Sequence, residues 1–247
     1  MNVLMFFCMN ASEQKNSKMK RKHHFSGLFI ALCSFFILAV GFIPFVLYYL
    51  VVKRFFFSLG FWFYISVPFL ICFAIVILLL SQMFISGFLI KLFRLYYTPG
   101  MYHYEIGEKN ALKWMIVASI YTPIRKILEI IPVGGLKNSY LRLVGMDLGE
   151  NTLVGGVIKD PCVTRIGHNT TIGEYAVIYG HIHNFKKGTI LIDPVTIGHN
   201  CIVGAGAIVM PGAVIEDNVK VAAGALVTKK QRLRSGNTYV GIPANKL

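Results

Sequence analysis

The chain has 247 residues, 55% of them hydrophobic and 15% charged, with a mean hydropathy of +0.60; a water-soluble domain is about half apolar and about a quarter charged, so a purely soluble protein is excluded. Lys and Arg total 25 against 11 Asp and Glu, a net charge of +14, and no acidic residue falls between Glu13 and Glu105. A basic margin beside an apolar region signals topology and attraction to anionic lipid, and argues against nucleic acid as a partner.

Residues 1–24 form a basic segment, with Lys15, Lys18, Lys20, Arg21 and Lys22 ahead of the first apolar run. Leu28 to Val52 carries no charge, which is enough to cross a hydrocarbon core of about 30 Å and too long for a cleaved signal. After Lys53 and Arg54, the stretch from Phe55 to Ile90 is again uncharged and predicts a second span centred on Phe61–Phe84, with Pro44 and Pro68 as kink positions. Residues 25–93 are therefore expected to be a two-helix transmembrane hairpin. Lys91 and Arg94 follow it, and the basic bias at both ends predicts that both ends face the cytoplasm.

Residues 94–145 read as interfacial and linker helices rich in aromatic and basic side chains: Tyr96, Tyr97, Tyr102, Tyr104, Trp114, Arg125 and Lys126. Ala111–Ile131 has the pattern of an amphipathic helix, lying in the membrane interface or forming a short third span. Cys8, Cys33, Cys72, Cys162 and Cys201 are scattered without paired spacing, which predicts free thiols in a cytosolic domain and neither a disulfide framework nor a zinc cluster.

After residue 146 the chain repeats. Every sixth position backward from Val227 is aliphatic (Val227, Val221, Ile215, Val209, Val203, Ile197, Leu191), and forward from Leu148 the column runs Leu148, Val154, an interruption at Asp160, then Ile166, Ile172 and Ile178. The position four residues on is usually small: Thr152, Thr170, Ala176, Cys201, Ala207, Ala213 and Ala225. Six-residue units of this kind build a triangular prism, three units to a coil, with the aliphatic residue on the axis and the small residue at the corner. About four to five coils fit in 146–247, and a solenoid that short calls for capping or self-association.

The stretches Pro194 to Gly212, Val221 to Lys229 and Gly241 to Ala244 resemble the C-terminal half of galactoside, maltose and xenobiotic acetyltransferases, within the hexapeptide-repeat acyltransferases. Tyr140 to Gly145, with Asp160 and Pro161 leading into the prism, is similar to the C-terminal membrane domains of poly-lysine-type peptide synthetases. The resemblance implies an all-β left-handed parallel β-helix behind an α-helical transmembrane hairpin, acetyl-CoA or another acyl-CoA as co-substrate without a metal, and a homotrimer with sites between subunits.

The register breaks between Ile178 and Leu191, and the break holds Tyr179, Gly180, His181, Ile182 and His183. Alternation predicts that Ile182 points inward while His181 and His183 share the outward face of a strand, where a near-neutral imidazole suits a general base. The family resemblance then places His183 at the catalytic position, with His181 as the alternative. It places the donor at Ala205, Ala223, Thr228, Lys229 and Lys230, with Arg232 and Arg234 as further phosphate partners; Ile202 stands where the family has Trp. His168 and His199 recur at one repeat position and read as structural. A zinc enzyme on the same prism would need three ligands, and the sequence offers one close pair, His181 and His183.

These features predict a membrane-anchored O-acyltransferase whose acceptor is membrane-associated, such as a lipid-linked sugar or glycan precursor. A non-catalytic β-helix scaffold at the membrane and an amide-forming acyltransferase remain as alternatives.

Overall fold

The computed structural model describes residues 27–55, 60–105, 107–130 and 134–247. The basic segment 1–24, Cys8 and Ile131 lie outside them.

Helix α1 covers 27–40 and, after a turn at Gly41 and Phe42, α2 covers Ile43–Phe55; α3 runs from Phe61 to Leu92 and packs antiparallel against α2. Pro44 falls in the first turn of α2, where its missing N–H removes no helical bond. The carbonyls released by the break are taken up from α3: Ser81 Oγ donates to Gly41 O (2.6 Å) and Gln82 Nε2 to Leu38 O (3.0 Å). Pro68 lies inside an unbroken α3. Both 27–55 and α3 are long and apolar enough to cross a membrane, and large apolar side chains such as Phe35 (72%), Trp62 (68%) and Phe69 (67%) stand exposed on them. An apolar surface of this extent is of the kind that lipid or another protein covers.

Strand β1 (Gly100–His103) leads to helix α4 (Lys109–Ile130), close to the span expected for the amphipathic helix, and to α5 (Gly134–Leu143). One side of α4 meets the hairpin, where Ser119 Oγ bonds Ser34 Oγ. The other side meets the prism, where Tyr121 Oη donates to Ile158 O at 2.9 Å. Helix α5 closes the open end of the prism: Lys137 Nζ donates to Gly156 O (2.8 Å), Asn138 Nδ2 to Thr152 O (2.7 Å) and Arg142 Nε to Leu148 O (3.1 Å). Those first-coil carbonyls have no coil below them to bond, and a cap of this kind is what a short solenoid requires.

The prism opens with β2 (Asp147–Leu148), β3 (Leu153–Val154) and β4 (Val157–Ile158). The second coil is β5 (Thr164–Ile166), β6 (Thr171–Ile172) and β7 (Val177–Ile178). A hairpin, β8 (His181–Asn184) and β9 (Thr189–Ile192), then leaves the prism. The third coil is β10 (Val195–Ile197), β11 (Ile202–Val203) and β12 (Ile208–Val209), and the fourth is β13 (Val214–Ile215), β14 (Lys220–Val221) and β15 (Leu226–Val227). Strands β16 (Arg232–Leu233) and β17 (Thr238–Val240) begin a fifth, and β18 (Asn245–Lys246) folds back antiparallel on β17. The three faces are parallel ladders, β2-β5-β10-β13-β16, β3-β6-β11-β14-β17 and β4-β7-β12-β15.

The six-residue column lines the axis as expected, with Ile172, Ile178, Val203, Val209, Ile215 and Val227 fully buried. At one corner Asn151, Asn169, Asn200 and Asn218 take positive φ in successive coils, and Gly236 follows in the fifth, as this tight turn demands. His168 and His199 belong to this corner: each Nδ1 accepts a backbone N–H, from Glu150 (2.9 Å) and His168 (3.0 Å), and their rings stack at 5.1 Å. They are rungs of a ladder, as the repeat position implied.

Three expectations change. The third axial residue of the first coil is Ile158, paired with Ile178, because Gly155 and Gly156 make a shortened turn; a Cβ on Gly156 would lie 2.4 Å from Ala176 O. Leu191 leaves the axial column, because β9 belongs to the hairpin and it is Ile190 and Ile192 that are buried. And the face shared by His181 and His183 is the covered face of that hairpin, since they pair with Ile190 and Ile192.

Candidate functional site

The hairpin turns through Phe185 to Gly188, whose φ of 61° permits the reversal. Strand β1 adds to its far edge, Gly100 opposite Ile192 and His103 opposite Thr189, and the N–H of Tyr104 donates to Gly188 O (3.0 Å). The hairpin and the sequence-distant β1 thus form one small antiparallel sheet whose inner face carries His181, His183, Ile190 and Ile192.

Beneath the root of the hairpin, at the corner between the β4 and β5 faces, sits Asp160, with only 1% of its surface exposed. Its carboxylate is held by four donors. Oδ2 accepts from the Gly180 backbone N–H (2.8 Å) and from His181 Nδ1 (2.7 Å), and Oδ1 accepts from Trp114 Nε1 (2.8 Å) and Tyr97 Oη (3.4 Å). A carboxylate on Nδ1 fixes the imidazole proton there and leaves Nε2 with its lone pair. His183 lies beside it, ring centroids 4.7 Å apart, with its Nδ1 on Tyr104 Oη. The Trp114 indole stands edge-on to both rings, at 4.8 and 5.3 Å, and Phe185 stacks on His183 at 5.4 Å.

Burial, and next the His181 ring, hold His183 below the ordinary histidine range. Burial pushes the Tyr104 phenol up to about 12, so its hydroxyl stays protonated at neutral pH beside His183 Nδ1. Tyr97 is driven well above the phenol range by burial and then by the Asp160 charge, and burial raises the Cys162 thiol to about 12. The four described cysteines, Cys33, Cys72, Cys162 and Cys201, are free.

The residues expected at the donor site fall at two corners. Thr228, Lys229 and Lys230 share the hairpin's corner, where Lys230 Nζ is 3.9 Å from Asp193 at the end of β9; Thr228 Oγ1 donates to Gln231 Oε1 at 3.1 Å. Ala205 and Ala223 are exposed at the next corner, in stacked turns joined by Gly224 N–H to Ala205 O (2.9 Å). Arg232 and Arg234 both reach Glu216, at 2.6 and 3.4 Å, so their charge is partly offset.

Sequence reasoning missed Asp160, Tyr97, Tyr104 and Trp114 as members of the site. The available signal was Asp160 itself, an acidic residue interrupting an aliphatic column. Among the described residues no three His, Cys, Asp or Glu side chains are grouped to hold a metal ion; the two site histidines each commit Nδ1 to Asp160 or Tyr104.

Residues 194–229 match the family model described as the hexapeptide repeat of succinyl-transferase. The chain is similar to gamma carbonic anhydrase 2, mitochondrial, of Arabidopsis thaliana (34% identity over 104 residues, 40% of this chain and 32% of that protein). It is also similar to galactoside O-acetyltransferase of Escherichia coli strain K12 (36% over 77 residues, 29% of this chain and 38% of that one). It therefore spans well under half the length of these relatives. A solved maltose O-acetyltransferase from Clostridium difficile 630 superposes with a TM-score of 0.43 at 24% identity, over 51% of this chain and 83% of that one. The repeat match and the three parallel ladders agree on the fold expected from the sequence, a left-handed hexapeptide β-helix preceded by apolar helices.

Proposed function

We propose that this protein is a membrane-anchored, CoA-dependent acyltransferase that moves an acetyl group to a hydroxyl or amine of a membrane-associated acceptor. The observation that carries the reading is the buried Asp160 carboxylate on His181 Nδ1. Repeat turns need no such pair, and a base with a fixed tautomer is what acyl transfer requires. His181 is accordingly assigned as the general base and His183 as its neighbour, the reverse of the order expected from the Ile178-Tyr179 match.

In the reaction, Nε2 of His181 takes the proton of the acceptor O–H or N–H as the oxygen or nitrogen attacks the thioester carbonyl. The tetrahedral intermediate collapses with cleavage of the C–S bond, and the departing thiolate receives the proton back from the imidazolium. Asp160 stabilises the transient imidazolium without being protonated itself. The indole of Trp114 and the stacked Tyr104, His183 and Phe185 rings wall the space beside the base and suit the face of a sugar.

Ala205, Ala223, Thr228, Lys229 and Lys230 are proposed to line the donor groove. The basic side chains would meet the CoA phosphates, and a homotrimer would complete the groove from a neighbouring prism. The hairpin of 27–55 and α3 is proposed to span the cell membrane with the prism on the cytoplasmic side, where acyl-CoA is available. The anchor then serves the acceptor, a lipid-linked sugar or glycan precursor.

The test is transfer of radiolabelled acetyl from acetyl-CoA into lipid and polar extracts of the source membranes by purified wild type, His181→Ala and His183→Ala. Label entering a lipid-extractable species with wild type and lost with His181→Ala is expected. Equal transfer by wild type and His181→Ala would overturn the assignment of the base, and no transfer by any form would overturn the transferase reading.

A further inference from the structure

The two histidines on the inner face of the small sheet have unlike partners at Nδ1. On His181 the Asp160 carboxylate takes the Nδ1 proton, at 2.7 Å, so the lone pair stands on Nε2. On His183 the partner is a hydroxyl, Tyr104 Oη, from the first residue after β1. The register of β1 on β9, with His103 opposite Thr189, sets Tyr104 there. That hydroxyl has no other hydrogen-bond partner among the described residues, and burial keeps it protonated at neutral pH. Donated to Nδ1, its proton meets a lone pair and both groups are matched. Accepting from an Nδ1–H instead would leave the phenol proton without a protein acceptor. The matched arrangement puts the single proton of a neutral His183 on Nε2, and burial followed by the His181 charge holds that ring below the ordinary histidine range. Neither Nε2 bonds a described residue, and neither is closed off from solvent. The rings lie 4.7 Å apart with 64° between their planes, each against the Trp114 indole. A lone pair and an N–H therefore open side by side from one strand.

We propose that His183 Nε2–H is the hydrogen-bond donor to the oxyanion formed during acetyl transfer, and that Tyr104 is the positioning residue that sets its tautomer. This role rests on the transferase reading with His181 as base. As His181 Nε2 takes the acceptor proton, the new C–O or C–N bond forms and the thioester π pair moves onto the carbonyl oxygen. His183 donates a hydrogen bond to that oxygen and keeps its own proton. The pair then returns to re-form the carbonyl, the C–S bond breaks, and the thiolate takes the proton from His181. The attacking atom and the oxyanion are neighbours on one tetrahedral carbon, and rings 4.7 Å apart let one Nε2 meet each. A donor aimed at charge that exists only in the intermediate lowers the barrier without tightening the substrate.

The test compares His183→Ala, His183→Gln, Tyr104→Phe and the Gln–Phe double variant of the full chain in detergent. The activity probe is acetyl transfer from acetyl-CoA to the lipid extract of the source membranes. His183→Ala is expected to lower kcat by roughly ten- to a hundredfold, the scale of a hydrogen bond to a charged group, with KM for acetyl-CoA unchanged. His183→Gln, whose side-chain NH2 stands near the place of Nε2–H, should recover most of that loss, which an amide could not do for a base. Tyr104→Phe should lower kcat in the wild-type background and leave it unchanged in the His183→Gln background. The tautomer is read without activity by nitrogen NMR of histidine-labelled wild type, where His183 should carry its proton on Nε2; this decides the case if a variant does not fold. The proposal is overturned if His183 is protonated on Nδ1, or if Tyr104→Phe costs as much in the His183→Gln background as in wild type. An active wild type with His183→Gln as slow as His183→Ala removes the donor role alone, whereas a wild type that transfers no acetyl group removes the transferase reading and this role with it.

Discussion

Replacing Asp160 by Asn tests the site most sharply, because the change is isosteric and the four hydrogen bonds to the carboxylate dictate its consequences. All four partners donate: Gly180 N–H and His181 Nδ1 to Oδ2, Trp114 Nε1 and Tyr97 Oη to Oδ1. An amide supplies one acceptor oxygen and one NH2. With the NH2 on the Oδ2 side, the Gly180 N–H loses its acceptor. His181 can then avoid the clash only by moving its proton to Nε2, which abolishes the base. With the NH2 on the Oδ1 side, the Trp114 N–H is orphaned instead, while His181 keeps its tautomer and loses the negative charge that stabilises its protonated form. Either orientation leaves a buried donor unsatisfied, at about 1–3 kcal/mol of stability. It also removes transfer activity by a factor on the order of 10²–10⁴, the scale of a mispositioned or missing general base. Stability is read by chemical denaturation in detergent and activity by acetyl transfer across a range of pH. If Asp160→Asn loses stability on that scale while the rate and its pH profile stay those of wild type, Asp160 is only a packing residue and the catalytic role of the pair is refuted.

Four further outcomes are expected. His181→Ala should lower transfer by about 10²–10⁴, and His183→Ala by less, because its Nδ1 is engaged by Tyr104 and no carboxylate fixes it. Because His183 is held below its ordinary range by burial and then by His181, the unfolded chain binds the extra proton first as pH falls. Its contribution to stability is therefore complete above the unfolded value of about 6.5 and is lost as pH drops through the lower folded value; His183→Gln should flatten that part of a pH–stability curve. Trp114→Phe keeps the ring beside the histidines and deletes the Nε1–H to Asp160, so kcat should fall roughly five- to tenfold, the equivalent of one net hydrogen bond, with KM for acetyl-CoA unchanged. Ile178→Ala opens a cavity at a fully buried axial position and should cost about 2–5 kcal/mol in denaturant unfolding.

The prism was legible because its physics is periodic. A residue on the axis every six positions leaves a mark that survives any choice of surface residue, and Val203, Val209 and Ile215 were placed by spacing alone. The apolar helices were legible for the same reason, a run of uncharged residues being a local property. Periodicity failed where the chain departs from it. The shortened Gly155-Gly156 turn moved the third axial residue from position 160 to Ile158, and the hairpin took Leu191 off the column. The site lay in those departures. Its residues come from 97, 104, 114, 160, 181 and 183, and β1, α4 and the prism corner meet only after folding. No spacing rule ties Trp114 to Asp160. What could be read was that an aspartate broke an aliphatic column and that two histidines occupied the one long interruption.

The position of α4 bears on how the proposed anchoring role of the apolar hairpin can be tested. Deleting the hairpin and assaying the rest is the obvious experiment, yet α4 is held from both sides. Ser119 bonds Ser34 and Ile124 faces Leu38 and Ile75 of the hairpin across an apolar cavity, while Trp114 and Tyr121 reach Asp160 and Ile158 on the prism. Removing the hairpin exposes the apolar side of the helix that carries Trp114, so lost activity would report a displaced indole as readily as a missing lipid acceptor. The separable perturbation is on the acceptor: the intact protein is given a lipid-linked substrate and its water-soluble head group at equal concentration. If the anchor serves the acceptor, kcat/KM should favour the lipid-linked form by at least tenfold. Equal kcat/KM for the two forms in the intact protein would mean that the hairpin holds α4 in place and contributes nothing to recognising the acceptor.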